Sequence, residues 1–358
     1  MAGPAGPAAS GQVVTAQVAD GDLEPERRHD AESTASAGVC PRQSQVDGPI
    51  GGGPHGAGNV ESPGESGTDG GRDHCVSNDE DEDRALLALA DSVDRPSAAR
   101  VYDYFIGGET NYAIDRAFAE QVRERVPLIG EYCRTSRQFL GRAVRHCSAG
   151  GVTQFVDIGS GLPTAGNVHE VADAARPQLD TRVVYVDNEP IALAHSRMLL
   201  ADTADPERHH AIAADLMEPG ELWAQVRDTE ILDLSRPVVL IVNAVLHFIK
   251  DQDDPDGIIE FYRELLPSGS LLVLSQMTNE NPESEDERQA LADLQDYYER
   301  TTNPGQLRTT GEFARFFGDW VLEEPGLVYA PAWHPDDETL FRTEPSQSRV
   351  LGGVARKS

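Results

Sequence analysis

The chain has 358 residues and a formal net charge of −31, from 61 acidic and 30 basic side chains. A field of that sign repels phosphate backbones and anionic lipid surfaces, so the composition argues against nucleic-acid and membrane partners. No apolar run reaches transmembrane length, and no positive segment followed by an apolar one marks a secretory signal. The four cysteines form no C-x-x-C pair. We therefore expect a reduced, cytoplasmic protein without a metal site.

The first part of the chain differs in composition from the rest. No Phe, Tyr or Trp precedes Tyr102, although the sequence contains 10 Phe, 9 Tyr and 3 Trp. Segments rich in Gly, Pro, Ser and acidic residues cannot bury enough apolar surface to offset chain entropy. We predict a disordered acidic and Gly/Pro-rich tail over residues 1–83, a helical N-terminal cap over 84–150, and one α/β domain over 151–358.

Three helices are predicted in the cap. Ser97 is placed to cap the first helix, and the glycine pair 107–108 ends it. The second helix is predicted over about 112–125, where the residue before a proline stops it. The third is predicted over about 130–147 and is followed by a second glycine pair.

Short apolar runs alternate with helical patterns in the α/β domain. Continuous Val, Ile and Leu runs are typical of strands that are covered on both faces. Alternation with helices predicts a parallel sheet with right-handed crossovers, to which two late strands near 320–322 and 349–354 can add an antiparallel edge. The parallel strands are predicted at 154–158, 182–186, 210–213, 238–242 and 270–274, and the helices near 165–176, 189–202, 219–230, 256–266, 284–301 and 310–317.

A glycine turn follows the first predicted strand, in the sequence VDIGSGLPT. Gly159 and Gly161 in this turn let a ligand approach the backbone closely, and Asp157 precedes them. A dinucleotide fingerprint would need Gly or Ala where Thr164 stands, and Pro163 lacks an N–H that a pyrophosphate would use. A ligand without pyrophosphate, such as S-adenosylmethionine, tolerates that loss. A plain tight turn remains an alternative.

Acidic residues close the next two strands. Asp187 can accept hydrogen bonds from both hydroxyls of a ribose, or it can cap the helix that follows Asn188. Asp215 and the adjacent Leu216 suit the edge and face of an adenine, or a turn. Because the carboxyl ends of parallel strands meet at one edge, the agreement of these positions with the glycine turn predicts a nucleoside site.

The end of the fourth strand carries polar residues at the expected reaction centre. Asn243 can hydrogen-bond the amino-acid part of a cofactor, and Val245 lies two positions further on. His247 can act as a base near neutral pH, or it can be a structural histidine that lines the pocket. We expect His169 and His195, on predicted helices, to be structural.

These segments together resemble the S-adenosyl methyltransferase family of high-GC soil bacteria, long described as a domain of unknown function. The resemblance implies a class I methyltransferase fold, Rossmann-like, with a mostly parallel seven-stranded sheet, helices on both faces, and S-adenosylmethionine as cofactor. It also implies that Tyr102, Gly107 and Asn111 belong to an N-terminal lid that closes the pocket and excludes water. The resemblance spans about 95–356 and is carried by 95–104, 107–108, 111–112, 155–164, 167–171, 184–190, 233–237 and 244–248.

The sequence thus predicts an S-adenosylmethionine-dependent methyltransferase that acts on an unidentified small-molecule acceptor. A non-catalytic regulatory protein that binds the same cofactor and a nicotinamide-dependent reductase are the alternatives. His247 is the catalytic candidate, and the predicted cofactor-binding residues are Tyr102, Gly107, Asn111, Asp157, Gly159, Gly161, Pro163, Thr164, Asp187, Asn188, Asp215, Leu216, Asn243 and Val245.

Overall fold

The computed structural model describes residues 93–163, 166–301 and 303–358. The predicted tail over 1–83, the start of the predicted cap and Thr164 lie outside the described residues. Among those described, no helix combines the length and the apolar character needed to cross a membrane.

Three consecutive helices precede the first strand: α1 (Ala98–Ile106), α2 (Ala113–Arg125) and α3 (Ile129–Ala149). Each lies within two residues of its predicted bounds. Gly107 ends α1 with a φ of 92°, a left-handed conformation that favours glycine. The predicted side-chain cap is wrong, because the Ser97 hydroxyl makes no capping hydrogen bond. Instead the Ser97 N–H donates to Asp115 Oδ1 over 3.0 Å, which joins the start of α1 to α2.

An eight-stranded sheet forms the centre of the described chain, in the order β3-β2-β1-β4-β5-β8-β6, with β7 also paired to β8. The first five strands are parallel, and β8 runs antiparallel to β5. The strands are β1 (Gln154–Ile158), β2 (Arg182–Asp187), β3 (His209–Ala213), β4 (Val239–Asn243), β5 (Leu271–Met277), β6 (Val321–Leu322), β7 (Val328–Tyr329) and β8 (Val350–Arg356).

The predicted class of fold is confirmed, but two details differ. The outer position beyond β8 is filled by two strands of two residues each, so the sheet has eight strands rather than seven. A strand as short as β7 has no detectable alternation in sequence. Strand β5 also continues to Met277. The predicted strand ends at residue 274 because the polar pair Ser275 and Gln276 interrupts the apolar run.

Helices cover both faces of the sheet. The helices of the α/β domain are α4 (Val168–Ala175), α5 (Pro190–Thr203), α6 (Pro219–Asp228), α7 (Pro255–Leu265), α8 (Glu285–Tyr298) and α9 (Thr310–Ala314). Helices α3, α4 and α5 pack on one face around core residues such as Phe155, Val183 and Ile241. Helices α6, α7 and α9 pack on the other face around Val156, Leu240 and their neighbours.

The strand register brings the motif residues to one edge. Ile158 pairs with Val186, so the turn that follows β1 lies beside the end of β2. Asn243 pairs with Ser275, and Met277 pairs with Val350, so the ends of β4 and β5 and the start of β8 continue the same edge. Loops beyond the carboxyl ends of parallel strands are where open α/β sheets bind ligands.

Candidate functional site

A cavity of about 360 Å³ lies along this carboxyl edge. Its volume falls within the range of small-molecule sites. Residues at or just after the carboxyl ends of all five parallel strands line it, together with residues of α1, α3 and α8, the segment 303–307 and the start of β8. The cavity therefore crosses the sheet from β3 to β8.

The glycine turn is held close to two strands. Gly159 N–H and Ser160 N–H both donate to the carbonyl of Val186, over 2.8 and 3.1 Å. Gly159 and Gly161 have φ values of 68° and 66°. A Cβ on Gly159 would lie 2.4 Å from Cγ2 of Val245, whereas a Cβ on Gly161 would meet no atom within 4 Å. Gly159 thus allows the loop after β4 to pack on the turn, and Gly161 leaves open space in front of the backbone.

Asp187 links the turn to the end of β2. The Gly161 N–H donates to its Oδ2 over 2.7 Å, and the Glu189 N–H donates to its Oδ1 over 2.8 Å. Helix α5 is capped by the Glu189 carboxylate, which accepts from the Ala192 N–H. The Asp187 side chain is 9% exposed, and burial raises its pKa to about 6 against the effect of these hydrogen bonds.

Asn188 and Asp215 are brought together at the ends of β2 and β3. The Asn188 amide donates to Asp215 Oδ2 over 3.1 Å, and the Met217 N–H donates to Asp215 Oδ1 over 2.9 Å. Leu216 is buried in the same wall of the cavity. The structure therefore places a carboxylate, an amide and an apolar side chain next to Asp187, as the sequence predicts.

A cluster of hydroxyl groups orients Asn243. Ser275 Oγ donates to Asn243 Oδ1 over 2.7 Å, and Ser136 Oγ lies 3.4 Å from the same oxygen. The Ala244 N–H donates to Ser275 Oγ over 3.1 Å. Because its oxygen is bonded, Asn243 has its amide nitrogen left to donate to a ligand. Neither serine has a signal in the sequence, because both meet Asn243 only after α3 packs on the sheet.

His247 lies in a single turn of 3₁₀ helix after β4 and borders the cavity. It is 9% exposed, and its Nδ1 has no hydrogen-bond partner among the described residues. Burial, assisted by the charge of Arg308, lowers the pKa of His247 to about 3. The imidazole is therefore neutral at physiological pH.

Arg308 fixes the turn that carries His247. Its guanidinium is buried and donates to the carbonyls of Leu246 over 2.8 Å and Ile249 over 2.6 Å. It also forms an ion pair with Asp251, 2.9 Å away. Arg308 is about 60 residues away in sequence, which is why sequence patterns gave no signal for it.

Some residues of the predicted lid line the cavity, and others support those that do. Tyr102 and Asp103 line the cavity, and the Tyr102 hydroxyl donates to the Cys133 carbonyl over 2.9 Å. Asn111 does not line the cavity; its amide donates to Asp103 Oδ2 over 2.9 Å. Gly107 is likewise outside the lining and terminates α1.

A buried ion-pair network joins the first two helices to the site. Arg100 is fully buried, and its Nε lies 2.7 Å from Asp115 Oδ2 while its Nη1 lies 2.6 Å from Glu189 Oε1. Glu189 is two residues from Asp187. The network therefore fixes α1 and α2 against the end of β2.

The remaining predicted residues lie away from the main cavity. Pro163 lines a smaller neighbouring cavity, and Thr164 lies outside the described residues. His169 has the structural role expected, since its Nδ1 lies 2.6 Å from the Tyr185 hydroxyl in the buried layer below the turn. His195 lies on α5 and does not border the main cavity. In the described ranges, no cluster of His, Cys, Asp and Glu has the arrangement of a metal site.

Charge divides the cavity into two halves. We call the lining residues 97–99, 102–103, 137, 157–162, 187–189, 214–217 and 243–245 the acidic half, and the lining residues 247–249, 276–277, 294–295, 298, 303–305, 307 and 350 the uncharged half. The uncharged half has no Asp, Glu, Lys or Arg among its described residues. The charged residues of the acidic half are Asp103, Arg137, Asp157, Asp187, Glu189 and Asp215.

The sequence profile of the S-adenosyl methyltransferase family matches residues 88–358. The chain belongs to this family. The predicted family, enzyme class and cofactor are thereby confirmed.

Two solved structures agree with this membership. A DUF574 family protein from Streptomyces avermitilis is 37% identical, with a TM-score of 0.68, over 74% of this chain and 98% of its own. A provisionally assigned methyltransferase from Thermobifida fusca is 34% identical, with a TM-score of 0.66, over 74% of this chain and 96% of its own. A comparison with proteins of curated function gave no match.

The residues of the methyltransferase fit its cofactor. S-adenosylmethionine carries a positive sulfonium, and the acidic half supplies carboxylates that complement it. The open space in front of Gly161 admits a ligand against the backbone. Asp157 is 3% exposed, and burial raises its pKa to about 7, so a nearby cationic group would stabilise its ionised form.

Proposed function

We propose that this methyltransferase binds S-adenosylmethionine in the acidic half and methylates a small molecule that is held in the uncharged half. One observation carries the proposal: a single cavity runs from Asp187, at the end of β2, to His247, beyond the end of β4. A methyl donor and its acceptor must share one enclosed space, and this cavity provides it.

The acidic half supplies the groups that a nucleoside requires. Each oxygen of Asp187 accepts one backbone N–H and retains a lone pair, so both can accept from ribose hydroxyls. Asp215 would accept from an adenine amino group, with Leu216 against the ring face. Asn188 would hold Asp215 in place through their hydrogen bond.

The turn after β1 and the end of β4 would hold the amino-acid part of the cofactor. Gly159 and Gly161 let this part lie against the backbone, and Asp157 would face its ammonium group. Asn243 would donate its amide N–H groups to the carboxylate, since Ser275 and Ser136 engage its oxygen. Tyr102, on α1, would form part of the lid that closes the cavity. Gly107 and Asn111 would act indirectly, by ending α1 and by holding Asp103.

When bound, S-adenosylmethionine supplies a methyl group on a good leaving group, so the protein must chiefly position the methyl acceptor. His247 is the candidate catalytic residue. Its neutral ring can accept a hydrogen bond from an O–H or N–H of the methyl acceptor. Because the pKa of His247 is lowered to about 3, the ring is unprotonated at every physiological pH, and we expect no inflection in turnover near pH 6.5 from this residue.

The methyl acceptor is proposed to be a small molecule, and the protein is proposed to act in the cytoplasm. The cavity is bounded by α1, α3, α8 and the segment 303–307, which together leave room for a compact ligand rather than for a nucleic-acid duplex. The acidic balance of the chain also disfavours a polyanion.

Two measurements on the purified protein test the proposal. Calorimetric titration with S-adenosylmethionine and S-adenosylhomocysteine should give saturable binding, and NADH should give none. Incubation with cofactor that is labelled on the methyl group and a low-molecular-weight cell extract should label a small molecule. Binding without any labelled product would favour the regulatory alternative, and absence of binding would refute the proposal. Once a product is found, turnover that His247→Ala leaves unchanged would remove the catalytic role of His247.

A further inference from the structure

One positive side chain borders the cavity among many acidic ones. Arg137 lies on α3, one residue after Ser136, and is the only Lys or Arg among the described residues that line the cavity. Five acidic side chains line the same space. Acidic side chains attract the cationic groups of S-adenosylmethionine, but they repel its carboxylate. The position of this lone arginine therefore bears on how the carboxylate of the cofactor is bound.

Arg137 stands where the glycine turn meets α4. It borders both the main cavity and the smaller neighbouring cavity, as do Asp157, Ser160 and Gly161. Its Nη2 donates to Oδ1 of Asn167, the residue before α4, over 3.4 Å. Arg137 is only partly buried, and the space in front of the Gly161 backbone is free of protein atoms. Its side chain therefore lies beside open space at the turn.

The charge of Arg137 acts on two walls of the cavity. Burial raises the pKa of Asp157, on β1, and of Tyr102, on α1, and the positive charge of Arg137 opposes both shifts. Because charges at longer range are screened, the guanidinium must lie near both side chains. It is thus located between the glycine turn and the lid, where the amino-acid part of the cofactor would lie.

The amino-acid part of the cofactor carries a carboxylate beside an ammonium group. The carboxylate would lose hydration inside the cavity and would face acidic side chains, so it requires a counter-charge. Asn243 can donate hydrogen bonds to it but carries no charge. A guanidinium supplies the charge and a planar pair of N–H groups that match the two carboxylate oxygens.

We propose that Arg137 forms an ion pair with the carboxylate of S-adenosylmethionine, so that the cavity selects a cofactor whose amino-acid part is intact. Asp157 would face the adjacent ammonium group, and Asn243 would bind the same carboxylate from the end of β4. One positive and one negative side chain would then complement the two opposite charges of the ligand. The inference rests on the proposed function and adds a cofactor-binding residue to the same site.

The test compares S-adenosylhomocysteine with its decarboxylated analogue, S-adenosyl-3-thiopropylamine, on the full-length protein. The analogue keeps the nucleoside, the sulfur and the amino group, and lacks only the carboxylate. Calorimetry should show that the wild type binds S-adenosylhomocysteine about tenfold more tightly than the analogue. Arg137→Gln should bind S-adenosylhomocysteine about 30-fold more weakly than the wild type does, and the analogue no more weakly. Arg137→Lys keeps the charge without the planar N–H pair and should recover part of the loss.

Arg145→Gln is the matched control. Arg145 lies further along α3, outside the lining of the cavity, and its exposed side chain forms an ion pair with Asp336 over 3.2 Å. This variant removes an arginine from the same helix and should bind both ligands as the wild type does.

The outcomes separate this inference from the proposed function. If the wild type does not bind S-adenosylhomocysteine, the proposed function fails. If it binds and Arg137→Gln loses neither ligand, or loses both by the same factor, only the role of Arg137 fails, since an equal loss means that the residue merely supports the site. Should Arg137→Gln not fold, the wild type decides, because equal affinity for the two ligands would also overturn the inference.

Discussion

The two halves of the cavity differ in charge and in the way their polar groups are satisfied. In the acidic half, Asp187 and Asp215 accept hydrogen bonds from backbone groups only a few residues away or from the adjacent turn. In the uncharged half, the Gln276 amide and Nδ1 of His247 have no partner among the described residues. Asp187 and Asp215 are therefore held in place by the protein itself. Unpartnered buried atoms occur in both halves, since Ser97 Oγ and Asp103 Oδ1 of the acidic half also have no partner among the described residues.

This difference in charge indicates that the two halves of the cavity have separate functions within one fold. The chain belongs to the S-adenosyl methyltransferase family, and the residues proposed to bind this cofactor come from short local motifs at strand ends. Recognition of the methyl acceptor would fall to the uncharged half, whose lining is largely apolar and aromatic. Variants that change one half and leave the other intact test this difference.

The largest effect is expected for Asp187→Ala. Two charge-assisted hydrogen bonds to a ribose are worth about 3–4 kcal/mol together, so the affinity for S-adenosylmethionine should fall roughly 100- to 1000-fold by calorimetry. Asp228→Ala, at the exposed end of α6, should bind as wild type does. Equal affinities for the two variants would show that the acidic half is not the nucleoside site.

The two glycines of the turn should differ in their tolerance of alanine. Gly159→Ala combines a positive φ with a Cβ that would lie 2.4 Å from Val245 Cγ2, and should lower the free energy of unfolding by about 2–4 kcal/mol. Gly161→Ala has the positive φ but free space, so it should cost only about 1 kcal/mol. Urea unfolding measures both. Val245→Ala added to Gly159→Ala should recover part of the loss, and no recovery would contradict the steric account.

The pH dependence of stability should report Asp157. Burial raises its pKa from 3.8 to about 7, so the folded state holds a proton that the unfolded state releases. Stability is therefore lost as the pH rises from about 4 through 7, and Asp157→Asn removes this loss. Unfolding of the protein without cofactor should show Asp157→Asn more stable than wild type at pH 8, by up to about 4 kcal/mol, with no gain at pH 4. A gain of equal size at both pH values would exclude ionisation as the cause.

The smallest expected effect is on the free energy of unfolding, and it should differ in sign between variants of Gln154 and Gln276. Gln154→Met leaves the backbone groups of residues 233 and 237 unpaired and should lower the free energy of unfolding by about 2 kcal/mol. Gln276→Met removes an unpaired amide and should raise it by up to about 1 kcal/mol. Thermal unfolding without ligand compares them, and a loss of stability in Gln276→Met would mean that its amide is already paired within the protein.

The sequence predicted the positions of the residues in the acidic half well, because the signals for these positions are local. Strand β1 has the predicted bounds, and Asp187 and Asp215 stand at the ends of β2 and β3 as expected. In the uncharged half the sequence identified His247 but gave no signal for the other residues. Gln276 lies beyond the point where the apolar run of β5 stops, and Arg308 reaches the turn of His247 across about 60 residues of sequence. Such contacts arise from packing, which no local pattern encodes.

The most direct test of the account is the crystal structure of the protein with S-adenosylhomocysteine. We expect the ribose hydroxyls on Asp187, the adenine beside Asp215, and the sulfur turned toward the wall that carries His247. A nucleoside that lies over β5 and β8 instead, with Asp187 facing water, would contradict the assignment of the two halves.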